Sequence, residues 1–191
     1  MQSEKNTKES SVREQLILAG ISEIKENGII GFSQRRVAAA CHLSCATPYK
    51  QFGSRDGLVR AILDYIDGQW EMFAKEIIGA YKGDSLRLLT ELCVGYLRFL
   101  DANPKFRAVI FFCDENGTHR SPLMPSECTK DSIDDYAQKL GLDEKEKARR
   151  VFVAYSIILG ATLLPKDGAS LSEEQLDMVR KSIELAITSG T

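Results

Sequence analysis

The segment from Ser33 to Phe52, S-Q-R-R-V-A-A-A-C-H-L-S-C-A-T-P-Y-K-Q-F, leaves the chain few ways to fold. It parses as two short helices joined by a tight turn. Ser33 suits the N-cap of a helix carrying Arg35, Arg36, Val37 and Ala38. That helix is expected to end near Cys41-His42, with Leu43 turning the chain and Ser44 capping a second helix from Cys45. Val37 and Cys41 are four apart and can both face inward, and Leu43 can plug the gap between the helices. Pro48 falls in the first turn of the second helix, where a missing N–H costs little. Two short helices around a buried plug form the helix-turn-helix arrangement, whose second helix enters the major groove of DNA.

The rest of the chain is also helical in period. Val12, Leu16, Ile17, Gly20, Ile21 and Ile24 form one stripe, predicting a first helix from about Ser11 to Asn27 with Gly28 as its left-handed cap. Leu58, Ile62, Tyr65, Ile66, Trp70 and Phe73 share a face of a helix that opens at Ser54 and runs toward Ile77. Leu86, Leu89, Leu92, Cys93, Tyr96, Leu97 and Leu100 line the next, stopped at Asn103-Pro104. A short helix is expected from Phe106 to Asp114, a loop from Glu115 to Pro125, and a helix through Ile133, Tyr136, Ala137 and Leu140 closed by Gly141. From Asp143 to Leu164 the sequence is charged at first and then apolar on nearly all sides, as in a helix buried on two faces. Leu171, Ser172, Gln175 and Leu176 supply a staple and a capping box for a last helix carrying Val179, Ile183, Ala186 and Ile187. No segment alternates with the period of a strand. The expected fold is all-α with about nine helices. It comprises a three-helix head over residues 1–53, including a disordered arm at 1–10, and a second helical domain over 54–191.

The net charge of −2 does not by itself suggest DNA, but its distribution does. Residues 1–60 carry nine Lys/Arg against six acids, a balance of +3, which leaves −5 for the remainder. On the motif itself Arg35, Arg36, Lys50, Arg55 and Arg60 face only Asp56. Five cysteines without repeating spacing argue against a disulfide framework, and the N-terminus has no apolar signal segment, so a cytoplasmic protein is expected. The apolar run from Val151 to Leu164 is too short to span a bilayer, so no membrane partner is expected.

Catalysis finds no support: there are two histidines, and no phosphate loop, nucleophile elbow or paired-carboxylate motif. Cys113, Asp114, Glu115 and His119 are explained by an ordinary polar loop. Cys41, His42 and Cys45 offer three metal ligands with no fourth nearby, so no metal and no cofactor are expected. DNA chemistry distributes more naturally over these residues. The hydroxyls of Ser33 and Tyr49, the cations Lys50 and Arg55, and the N–H groups at the helix start by Ser44 suit phosphate, which fixes register without reading sequence. Cys45, Ala46 and Thr47 are small enough for close approach to base edges, and Arg36, or second to it Arg35, suits guanine.

From Arg13 to about Ile62 the chain resembles the DNA-binding region of TetR-family transcriptional regulators. The resemblance is carried by A-G-I-S-E-I-K-E-N-G before the motif, by the motif itself, and by Y-K-Q-F-G-S-R-D-G-L-V after it. Gln51 stands where the family usually has His, Arg55 where it has Lys, His42 where it has Gly, and Glu23 where it has an apolar residue. The resemblance implies a homodimer on a double-stranded, palindromic operator, acting as a repressor and released by a small-molecule effector. It also implies an effector pocket in the second domain, for which Trp70, Phe73, Tyr96, Phe99, Phe152 and Tyr155 are the candidates. The alternative is a thiol- or metal-sensing regulator acting through Cys41 and Cys45, the latter at a helix start that would activate a thiol.

Overall fold

The computed structural model describes residues 2–81, 83–110, 127–164 and 170–189. Among them are nine α-helices and no strand: α1 (Gln2–Asn27), α2 (Gln34–Ala40), α3 (Thr47–Phe52), α4 (Arg55–Ala80), α5 (Ser85–Ala102), α6 (Pro104–Ile110), α7 (Glu127–Leu140), α8 (Glu144–Leu163) and α9 (Glu173–Thr188). They form two compact units, Met1–Gly68 with Lys105–Pro122, and Gln69–Pro104 with Leu123–Thr191. The division falls inside α4, which gives its first half to one unit and its second half to the other.

In the first unit, Leu16, Ile17, Ile21 and Ile24 of α1 are buried with Phe32, with Val37 and Ala38 of α2, and with Leu58, Val59, Ile62 and Ile66 of α4. Gly20 lets α1 and α4 approach closely, because a Cβ there would lie 2.6 Å from Cδ1 of Ile62. Gly28 closes α1 at φ 65°, with its N–H bonded to Ile24 O at 2.8 Å, the left-handed cap expected from sequence. The start of α1 differs from expectation. It begins at Gln2, so residues 2–10, expected as a disordered arm, form its first turns. Nothing in that stretch breaks a helix, since it holds neither Gly nor Pro.

The second unit is built around α5, which packs on α7, α8 and α9. Leu88, Leu89, Leu92, Val94, Leu97 and Leu100 of α5 are buried, as are Ile133 and Tyr136 of α7, Ala154 and Ile158 of α8, and Leu176, Ile183 and Ile187 of α9. Pro104 both ends α5 and opens α6, the position where its missing N–H is not needed. The expected capping box on α9 is present, with Gln175 N–H donating to Ser172 Oγ at 3.2 Å and Ser172 N–H to Gln175 Oε1 at 2.9 Å. Three stripe positions break the expected pattern, for Phe73, Leu86 and Leu140 are 37%, 37% and 52% exposed. The expected second buried face of α8 is likewise open in the single chain, where Phe152, Leu163 and Leu164 are exposed. Cys113, Asp114, His119 and the loop expected from Glu115 to Pro125 lie outside the described residues.

Candidate nucleic-acid interface

The motif forms the two helices that its residues predict. Ser33 sits in extended backbone, and its Oγ accepts from Arg36 N–H at 3.5 Å to cap α2. Val37 and Ala38 are fully buried, and Leu43 N–H closes the turn on Ala38 O at 2.9 Å. His42 is the one non-glycine residue at positive φ among the described residues, at 56°. The turn thus keeps a left-handed conformation that glycine adopts without cost, and histidine is among the side chains that tolerate it.

The second helix starts later than expected. Pro48 has no N–H to give the Ser44 carbonyl, so Thr47 N–H takes that carbonyl at 2.9 Å and the chain turns through Cys45 and Ala46 before α3 begins at Thr47. Ser44 still serves the helix start, since its Oγ accepts from Ala46 N–H at 3.3 Å. Cys45 therefore precedes the helix rather than opening it. Ser44, Cys45, Ala46, Tyr49 and Lys50 are exposed, Thr47 is half-buried, and Pro48 is buried beneath them.

The arginines divide sharply. Arg35 is exposed. Arg36, expected to reach a base edge, is turned back onto the first unit instead. Its Nε donates to Glu23 Oε1 at 2.8 Å and its Nη2 to Glu23 and to Gly31 O, and the carboxylate raises the guanidinium above its already high pKa. Glu23 is buried and also accepts from Ser33 N–H at 3.3 Å, so one carboxylate holds both the start of α2 and its second arginine. Arg55 donates to Ile29 O at 2.6 Å and lies over the Phe32 ring at 5.7 Å. Arg13 does the same for α3, donating to Gln51 O at 2.9 Å with its guanidinium 4.5 Å from the Phe52 ring. Buried Gln34 donates to Ser54 O at 2.9 Å. Glu23, Arg13 and Gln34 are not among the site residues expected from sequence. The signal for Glu23 is an acid standing where an apolar residue is usual; nothing local marks the other two.

No family model and no curated protein matches the chain. Solved structures do. A TetR-like transcriptional regulator from Rhodococcus sp. RHA1 aligns over 93% of this chain and 94% of its own, at TM-score 0.59 and 18% identity. A TetR-family regulator from Pectobacterium atrosepticum aligns over 94% and 93%, at TM-score 0.59 and 17% identity. A TetR/AcrR-family regulator from Thermobifida fusca aligns over 93% and 97%, at 0.57 and 15%. The chain has the TetR-type regulator fold.

Within that TetR-type fold, four of the six aromatic candidates in the second unit gather. Trp70, Tyr96 and Phe99 are buried and Phe73 is 37% exposed. Trp70 meets Tyr96 edge-on at 4.9 Å between ring centroids, Phe99 at 5.7 Å and Phe73 at 6.0 Å. These rings pack against one another at the contact distances of an aromatic cluster. Tyr155 lines a separate cavity of about 20 Å³ with Cys93 and Tyr136, room for little more than one water. Burial, with Cys93 and Tyr96 adding to it, pushes the Tyr155 hydroxyl well up. Phe152 corrects the sequence expectation, being 72% exposed. It lies two residues from both Arg150 and Ala154, about 200° around α8 from the buried face they define.

Of the two thiols of the alternative, Cys41 gives it no help. Cys41 is half-buried with its Sγ 3.5 Å from Gln15 O, and burial pushes its thiol up, away from the thiolate that a redox switch needs. Among the described residues no three His, Cys, Asp or Glu side chains gather as metal ligands, and no helix is long and apolar enough to cross a membrane.

Proposed function

We propose that the chain is a DNA-binding transcriptional regulator, a repressor that grips a palindromic operator as a homodimer and lets go when a small molecule binds. The observation that carries this reading is the α2–α3 pair, which presents Ser44, Cys45, Ala46, Tyr49 and Lys50 to solvent from a rigidly braced turn. Ser33, Tyr49, Lys50 and Arg55 would meet phosphate, and Cys45, Ala46 and Thr47 base edges. Arg35 replaces Arg36 as the arginine for a guanine, because Arg36 is engaged with Glu23. Two-fold symmetry would set half-sites about 34–36 Å apart or a multiple of that. Release would run along α4, one unbroken helix with residues in both units.

The test is selection of bound DNA from a random pool, followed by titration against salt. Lys50→Ala should leave the selected sequence unchanged and flatten the salt slope by roughly 1 for each lost phosphate contact. Thr47→Ala should alter the preferred base instead. Failure to enrich any sequence, or a changed sequence for Lys50→Ala with none for Thr47→Ala, would overturn these assignments.

A further inference from the structure

One cleft of the second unit is not used by any of this. It has a volume of about 610 Å³, and the two ends of neighbouring helices that frame it are the start of α5 and the end of α7. Sites for small organic molecules typically occupy about 300–1,000 Å³. Its lining is split by chemistry. One part is apolar: Leu86, Leu140 and Leu142, of which the first two are the stripe leucines that the fold leaves exposed. The other part is cationic and donor-rich. Lys139 lines it, and so does Arg150, which is 6% exposed.

Arg150 is only partly satisfied. Its Nε donates to Glu146 at 2.7 Å and its Nη1 to Tyr136 Oη at 3.0 Å and Ile187 O at 2.5 Å, while among the described residues its Nη2 has no acceptor. The first-turn N–H groups of Ser85 and Leu86 have no partner within α5 either. The one carboxylate in the lining, Asp84, is directed at its own helix, where Oδ1 accepts from Arg87 N–H at 3.0 Å. Lys139 is paired with Asp135 at 2.8 Å, which also accepts from the Ser85 hydroxyl, and Arg150 with Glu146 at 2.7 Å. The free Arg150 Nη2, the remaining Lys139 donor and the positive end of an 18-residue helix beside three leucines match a carboxylate on a hydrocarbon body.

We propose that this cleft binds a medium-chain organic carboxylate, its headgroup between Lys139, Arg150 and the start of α5 and its chain along Leu86, Leu140 and Leu142. Binding is a property of the second unit and is measured without DNA, so it stands or falls separately from the operator reading.

Octanoate serves as the probe, titrated into the full chain with leucine methyl and backbone amide NMR as the readout. Saturable shifts of the Leu86, Leu140 and Leu142 methyls and of the Ser85 and Leu86 amides are expected, with octylamine and 1-octanol at least about tenfold weaker. Lys139→Gln should weaken octanoate about tenfold, and Leu86→Asp, a surface change, should abolish it with the circular dichroism spectrum unaltered. Asp135→Asn frees Lys139 from its 2.8 Å ion pair and should tighten binding. Equal binding of octylamine, shifts confined to the Trp70 cluster, or no saturable shift up to the solubility limit of octanoate would each overturn the proposal.

Discussion

Glu23 illustrates how one side chain can carry two jobs that look unrelated in sequence. It is buried because Arg36 and the Ser33 N–H meet it, and it engages the arginine that was expected to reach a guanine edge. Glu23→Ala should therefore act in opposite directions on two measurements. The melting temperature should fall, since Ser33 N–H and the Arg36 guanidinium lose their acceptor. Affinity for DNA at low salt should rise, with a steeper salt slope, since Arg36 is released toward phosphate. A variant that loses both stability and DNA affinity would show that Arg36 contributes nothing once freed. Arg55 has a similar double character, so loss of DNA binding in Arg55→Ala must be read beside a melting curve.

At the scale of the element, the first turn of α8 shows a local charge arrangement with a measurable pH signature. Glu146 accepts from Arg149 Nε and Nη2 and from Arg150 Nε, all at 2.7 Å. These bonds, those from Arg149 foremost, lower its carboxyl from 4.5 to about 2. A depressed folded-state value means that the stabilisation is present in full above 4.5 and is lost as pH falls toward 2. Melting temperature should drop across that window in the parent and drop less steeply in Glu146→Gln. Equal slopes would mean that the carboxylate is not held this way in solution. Element boundaries also show what sequence can and cannot convey. The cap of α2, the glycine after α1 and the capping box of α9 are legible because each depends on neighbours a few residues away. The expected start of α3 lies two residues too early, although the cause, Pro48, is in plain sight; its missing N–H has to be counted against the Ser44 carbonyl. The braces from Arg13 and Gln34 are not legible at all, because their acceptors, Gln51 O and Ser54 O, are backbone atoms 38 and 20 residues away. The aromatic candidates fall between these cases: spacing identifies Trp70, Tyr96 and Phe99 as buried rings, but groups the exposed Phe152 with them.

For the whole molecule, the faces of α8 and α9 left open in the single chain define the proposed dimer. Phe152 and Leu163 on α8 and Met178 and Leu185 on α9 are all more than half exposed. Phe152, Ser156, Leu159 and Leu163 follow one another at helical spacing. Burying a Phe side chain contributes about 1.5–3 kcal/mol, and a symmetric interface counts it twice. Phe152→Glu should weaken dimerisation by at least about a hundredfold in sedimentation equilibrium, while the monomer keeps its helical spectrum. A parent that sediments as a monomer at micromolar concentration would remove the dimer altogether. The other end of α9 bears on how the chain tolerates being cut. Tyr136 Oη and Arg150 Nη1 both donate to the carbonyl of Ile187, from side chains that are almost wholly buried. That carbonyl is thus a fixed anchorage for the interior, although it lies within two residues of the last one described. An exopeptidase that takes Ser189 removes only the exposed bond that Arg149 Nη2 makes to its carbonyl at 2.9 Å, but removal of Ile187 strands the buried Tyr136 hydroxyl, at about 1–3 kcal/mol, and leaves Arg150 Nη1 with Tyr136 Oη alone. Digestion should therefore slow abruptly at that residue, and a tag appended by replacing it would unseat the bundle from within.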